Sequence, residues 1–275
     1  MIEALLAMTL VAPGMVAEEG PTAQEVIAHA KAPLGFNVVT GAWLIRLRGN
    51  SSFGGSQDLS LDEQLGMDDR EATFRGEFRV GRDDWGVWIM GANFDTSSSG
   101  SFDTAGSWDG AAFSVGDPFQ SSFDMMNIAV EGQWNPLDLI GEANTHIPMF
   151  LTVGPHLGML YSDIKQHLSF NNTASEEQGE FTSLYAGGQA IIRMDTMNRL
   201  PWLQKIEFRA GGGFGAALGH DGGTMFHARA DMRFYFMKNF AVLFGYRLLE
   251  LSVEKGDWKA SPSLQGLFVG ASIEF

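Results

Sequence analysis

Between Asn37 and Phe275, apolar residues recur at every second position in runs of roughly ten residues, the period of strands with two unlike faces. Gly223–Phe236 shows it most clearly: Phe226, Ala228, Ala230, Met232 and Phe234 alternate with His227, Arg229, Asp231, Arg233 and Tyr235. Ala72–Gly81 sets Phe74, Gly76, Phe78 and Val80 against Arg75, Glu77 and Arg79. In Asn37–Arg48 the apolar face is Val39, Trp43, Ile45 and Leu47, with Thr40, Ala42, Arg46 and Arg48 opposite. Trp85–Asp95 is apolar on both faces, which leaves its orientation open. Ser122–Trp134 divides Met126, Ile128 and Val130 from Asn127, Glu131 and Gln133. Met149–Ser162 divides Leu157, Met159 and Tyr161 from Thr152, Gly154, His156 and Gly158. Phe181–Arg193, Lys205–Leu218 and Phe240–Ser252 follow, and Leu264–Phe275 ends the chain with Leu267, Val269, Ala271, Ile273 and Phe275 on one face.

These runs make about ten strands, with 8–12 the range the turns allow. The linkers alternate in character. Gly49–Glu71, Thr96–Ser121, Asp163–Glu180, Gly219–Gly222 and Val253–Ser263 are polar, acidic or glycine-rich, whereas Arg82–Asp84 and Met237–Asn239 are tight. Asn135–Pro148 and Met194–Gln204 are longer and contain Pro136, Pro148 and Pro201, and Gly219–Gly222 is hardly more than a turn, so the alternation is imperfect. An even number of strands with both termini on the periplasmic side is the plan of a single-chain bacterial barrel. In hydrocarbon every backbone amide must be paired, so strands cross a bilayer only as a closed ring. The expected fold is therefore all-β, an antiparallel up-and-down transmembrane β-barrel over residues 36–275. Trp43, Trp85, Trp134, Trp202, Tyr161, Phe240 and Phe275 lie near strand ends or turns, where aromatic girdles sit. Ahead of the barrel, the apolar stretch Ala4–Ala17 has the length of a leader core, so residues 1–17 are expected to be a signal peptide and 18–35 a tether.

Composition narrows the partners. The 275 residues carry 18 Lys plus Arg against 33 Asp plus Glu, a formal charge of −15, which argues against nucleic acid. No cysteine is present, which excludes disulfides, Cys-ligated zinc and thiol catalysis. Much of the acidic excess falls in the linkers and at their borders: Asp58, Asp62, Glu63, Asp68, Asp69, Asp95, Asp103, Asp109, Asp117, Glu176 and Glu177.

The motifs Gly211-Gly212-Gly213-Phe214-Gly215, Gly245-Tyr246-Arg247 and Gly270–Phe275 resemble the final strands of small bacterial outer-membrane β-barrel proteins of the OmpA-like transmembrane type. The Arg82–Trp85 turn and Leu65-Gly66-Met67-Asp68 are similar to the early part of such chains. The resemblance implies an outer-membrane location, contact with membrane lipid and lipopolysaccharide, and assembly by the barrel-assembly machinery. The terminal Ile273 and Phe275 would serve as the assembly signal. Family members range over structural barrels, small porins, adhesins and a few lipid-modifying enzymes, so the likeness chooses no activity.

Extending the alternation places Arg46, Arg75, Arg79, Arg193, Arg209, Arg229, Arg233 and Arg247 in the lumen with Glu77, Glu131, Glu207, Asp231 and Glu274. Such charges either pair off and plug a narrow interior or line an anion-favouring path. His156, His227 and Asp231 are the candidates for catalysis, but His227 and Asp231 stand about 13 Å apart along one strand. His146, His167 and His220 have no metal-ligand spacing, and no cofactor is expected. The expected role is structural or surface-displayed, with limited solute conductance. A small anion-preferring porin and an outer-membrane hydrolase are the alternatives.

Overall fold

The computed structural model describes residues 34–82, 84–140, 149–196, 200–218 and 222–275. The expected leader and nearly all of the tether lie outside these residues, as do His146 and His220.

Ten long strands follow one another as a meander: β1 (Gly35–Phe53), β2 (Arg70–Gly81), β3 (Trp85–Ser101), β4 (Pro118–Trp134), β5 (Met149–Phe170), β6 (Thr173–Asp195), β7 (Lys205–Ala217), β8 (Gly223–Met237), β9 (Phe240–Lys255) and β10 (Trp258–Glu274). Each pairs antiparallel with the next. The ring closes where β1 meets β10 in unbroken register from Asn37↔Glu274 to Phe53↔Trp258. Two short strands join the same sheet, Leu59–Ser60 against β1 and Leu137–Ile140 against β5. A small hairpin, Gly106–Trp108 with Ala111–Phe113, forms a second sheet. Closure leaves no edge strand among the ten, the condition for crossing hydrocarbon. No described helix is long and apolar enough to cross a membrane. Both ends of the ring, Gly35 and Glu274, lie at one rim, called here the terminal rim; the longest hairpin, β5–β6, reaches the other, distal rim.

Sidedness changes along each strand. Near the terminal rim the outward positions are apolar: Phe36, Val38 and Leu44 on β1, Phe74 and Phe78 on β2, Ile128 and Val130 on β4, and Leu157 and Met159 on β5. The run from Phe36 to Leu44 spans roughly 26 Å at about 3.3 Å per residue, close to the height of an apolar membrane band. Inward positions at this level hold Arg79, Glu131, Glu207, Arg209, Asp231, Arg233 and Arg247. Towards the distal rim the arrangement reverses. The outward residues become Asp95, Asp124, Asp163, Lys165, Glu176 and Glu180, while Phe94, Phe123, Ile164, Leu168, Phe170 and Phe181 fill the inside. The barrel is membrane-like for part of its height and has a soluble-protein core above it.

That reversal corrects two expectations on β1. Arg46 does not enter the lumen: Val39, Trp43, Ile45 and Leu47 point inward and are nearly solvent-free, while Arg46 and Arg48 point outward. Ile45 and Leu47 belong to the distal core, while Val39, opposite Glu77, and Trp43, beneath the Arg75 guanidinium, pack among the lumen charges, so the rule "charge in, apolar out" assigns the strand backwards. Trp43 consequently leaves the girdle for the interior, whereas Trp85, Trp134, Trp202 and Phe275 are exposed, as a girdle requires. The expected linker Asp163–Glu180 is mostly strand, the continuation of β5 and β6 around a turn at Asn171 and Asn172, both with positive φ. His167 accordingly lies on β5 rather than in a loop. The open orientation of β3 resolves with Trp88, Met90 and Phe94 inward.

The distal mouth is filled by chain. Leu59, Leu61, Leu65 and Met67 of the β1–β2 connection are buried, and Ser121 on β4 donates its hydroxyl to the Leu65 carbonyl at 3.2 Å. Above them the small hairpin buries Trp108 and Phe113. Phe102 stacks on Phe113 at 3.9 Å between ring centroids, and both meet the Phe170 ring edge-on at 5.7 and 5.6 Å.

Candidate functional site

The lumen charges sort into two adjoining clusters. Nearest the terminal rim, the Glu207 carboxylate pairs with Arg209 and with Arg193 at 3.1 Å, and Arg233 stands 4.0 Å away. Tyr235 donates to Glu274 at 2.6 Å at the same end, and Asn37 reaches the same oxygen at 3.3 Å. The indole of Trp88 sits centrally: Arg79, Arg209, Arg229 and Arg233 all lie within 5.9 Å of its centroid. Its negative faces spread the excess of guanidinium over carboxylate. Apart from Arg46, every residue expected in the lumen lies on an inward position.

The second cluster is at mid-height. Arg247 bridges Glu77 at 2.9 Å and Asp231 at 3.3 Å; Arg75 holds Glu77 at 3.0 Å; Arg229 holds Glu131 at 2.7 Å. Glu131 also accepts from Gln133 at 2.6 Å and from the Tyr185 hydroxyl at 3.1 Å. His156 and His227 complete the group, with their ring centroids 5.3 Å apart.

Register explains how side chains on β5 and β8, with two strands between them, come to touch. His156 pairs with Gly187 of β6, Gly187 with Gly213 of β7, and Gly213 with His227 of β8. Both intervening positions point inward and carry no side chain, so the imidazoles lean together over bare backbone. A Cβ at Gly187 would lie 2.5 Å from His156 Nε2, and one at Gly213 would lie 2.8 Å from His227 Nε2. Tyr185 crosses Gly158 in the same way to reach Glu131, with a Cβ at Gly158 only 2.5 Å from the phenol oxygen. His227 and Asp231 do not form a dyad: Asp231 is taken by Arg247.

This constellation is absent from the sequence reading, which weighed His227 against Asp231 on its own strand. The available signal was the glycines: Gly158, Gly187 and Gly213 at polar-face positions mark where neighbouring side chains need room.

Glu131, His156 and His227 offer donor atoms within 4.8 Å of one another, a set that could take a metal. Local charge opposes it. Arg75, Arg229 and Arg247 are matched by Glu77, Glu131 and Asp231, so a dication would add uncompensated charge to a balanced interior. Arg229 and Gln133 already occupy Oε1 of Glu131, and Tyr185 occupies Oε2. The hydrogen bonds of the group tie β4, β6 and β8 together across the lumen, while His156 of β5 packs against them with its Nε2 3.8 Å from Glu131. Beside it lies a cavity of about 70 Å³ bordered by Trp43, Met90, Asn127, Leu160 and Met225. That is room for a few waters and not for a drug-sized ligand.

Closed strand pairing, an apolar outer band with exposed Trp at its borders and a charged interior define a transmembrane β-barrel of the bacterial outer-membrane type. Among solved structures, the chain is similar to Ail, the attachment invasion locus protein of Yersinia pestis (TM-score 0.33, 10% identity, covering 88% of this chain and 99% of that one). It is also similar to the outer membrane protease OmpT from Escherichia coli (TM-score 0.36, 8% identity, 88% and 96% covered) and to the outer membrane protein OprG from Pseudomonas aeruginosa (TM-score 0.34, 9% identity, 89% and 97% covered). No family model and no curated protein matches the sequence. At these values no role is taken from any of them.

Proposed function

We propose that the protein is a sealed outer-membrane barrel with a structural and surface role, conducting little solute. The observation that carries this reading is the continuous filling of the interior. Paired charges occupy the terminal half, an aliphatic and aromatic core the distal half, and Trp108, Phe102 and Phe113 the mouth. In planar bilayers the purified barrel is expected to show no discrete conductance steps. Regular anion-selective steps would overturn the reading in favour of a small porin.

Contact with membrane lipid follows from the apolar band. Recognition by the barrel-assembly machinery is supported by the terminal strand, where Ile273 and Phe275 project outward and are well exposed. Phe275→Ala should slow assembly in cells, seen as less heat-modifiable protein in the membrane fraction, without altering the refolded barrel's stability.

A further inference from the structure

The outward residues just beyond the apolar band differ in sign around the ring. On β4, β5, β6 and β9 they are Asp124, Asp163, Glu180 and Glu250. On β1 and β2 they are Arg46 and Arg70, with Arg48 one step further, and on β10 the neutral Gln265. Arg46 and Arg70 are direct cross-strand partners on the same face. Like charges opposite each other destabilise a sheet unless something lies between them. Arg46 has a partial partner in Asp68 at 3.4 Å, and Arg48 is 3.9 Å from Asp62; the Arg70 guanidinium makes no ion pair with a described residue.

These arginines border a recess of about 260 Å³ on the outer wall. Its other polar walls are Gln265, the cross-strand partner of Arg46 on β10, and Tyr246 of β9. Tyr246 donates to the Gln265 carbonyl at 3.1 Å, which leaves the amide nitrogen free to donate outward. Leu44 and Leu267, the last residues of the band, border it from below. The recess thus joins several donors to an apolar edge continuous with the bilayer-facing surface.

We infer that Arg46, Arg48, Arg70 and Gln265 form a binding site for the phosphate group of an anionic membrane lipid, whose acyl chains lie along Leu44 and Leu267. Guanidinium groups bind phosphate oxygens in pairs, and a phosphate between Arg46 and Arg70 replaces their repulsion with two charge-assisted contacts. The apolar edge favours a lipid over free phosphate, because only a lipid gains from it. The inference rests on reading the apolar band as the bilayer-spanning zone.

The test uses the full-length barrel in phosphatidylcholine nanodiscs, with and without lipid A, and counts retained lipid A by native mass spectrometry. The wild type should retain lipid A, and R46Q/R70Q should lose at least about tenfold in retention. K165Q, on the acidic side of the ring, should match the wild type. R46K/R70K keeps charge and strand pairing but loses the planar fork, so it should fall between the two and serves if the glutamine variant does not assemble. Equal retention by wild type and both double variants would overturn the proposal. So would inorganic phosphate, added to nanodiscs of phosphatidylcholine alone, shifting the Arg46 and Arg70 side-chain NMR signals as strongly as lipid A does. Recovery of the wild type as a monomer without detergent would instead remove the underlying membrane reading.

Discussion

Glu207 lies almost wholly buried among Arg193, Arg209 and Arg233, so its charge carries the electrostatic balance of the terminal end. Glu207→Gln leaves those guanidinium groups uncompensated in a low-dielectric interior, a loss of about 3–5 kcal/mol. Lys259→Gln breaks the 3.1 Å pair with Glu254, where both partners are solvated, and should cost roughly 0–1 kcal/mol. Denaturant unfolding in detergent, followed by tryptophan fluorescence, separates the two. The inward glycines are as sensitive. Gly213→Val drives methyl groups into His227 Nε2 and the Ala186 carbonyl, an overpacking expected to cost about 1–3 kcal/mol. Gly91→Val points outward, meets its nearest neighbour at an ordinary 3.7 Å, and should be near neutral. Outside the band, Asp117 accepts from the Ser114 amide and from Asn171 at 2.6 Å. The Ser114 amide first, then the Asn171 side chain, hold its carboxyl below the usual carboxylate range. Because the folded value is depressed, the tie is at full strength above the ordinary aspartate range and is lost as pH falls through the lowered value. Protection of the Ser114 amide, its exchange measured against the intrinsic rate at each pH, should therefore fall only in acid, whereas a loss of protection beginning near neutrality would contradict the assignment.

At the scale of elements, alternation locates strands well and orients them only where one face is charged. β8 carries Arg229, Asp231 and Arg233 on one face, and its inward side was legible at once. β1 offers aliphatic residues opposite lone arginines, and its face depends on how far along the barrel each residue stands. The same side-chain type is favoured outward in hydrocarbon and inward above it, so no single rule reads a strand that crosses both solvents. The contact of His156 with His227 was hidden for a different reason: it depends on the register of β5, β6, β7 and β8 together, which strand-by-strand reading does not supply. The small hairpin above the mouth does not show in the alternation, because its buried Trp108 and Phe113, and Phe102 packed on them, are too widely spaced to show a period. Trp108→Ala should remove about 3–5 kcal/mol of packing from this cap. Limited proteolysis should then cut within the linker while the membrane-embedded strands stay intact.

At the scale of the whole molecule, the composition finds its explanation in height above the bilayer. Carboxylates gather on the outer wall of the distal half, and arginines gather inside the terminal half, so a chain of charge −15 still has a lumen rich in guanidinium. The inversion of sidedness also bears on how the barrel reaches its place. If it enters from the side that holds the termini, the acidic outer wall bearing Asp95, Asp124, Asp163, Glu176 and Glu180 must pass through hydrocarbon once before it meets water again. The finished structure is relieved of that cost, so the penalty is kinetic: it raises the barrier to insertion without lowering the stability of the product. Refolding should therefore be faster into thin bilayers than into thick ones, and replacing Asp124 and Asp163 with asparagine should narrow the difference. The same carboxylates, once across, oppose a return through the membrane and hold the barrel in a single orientation.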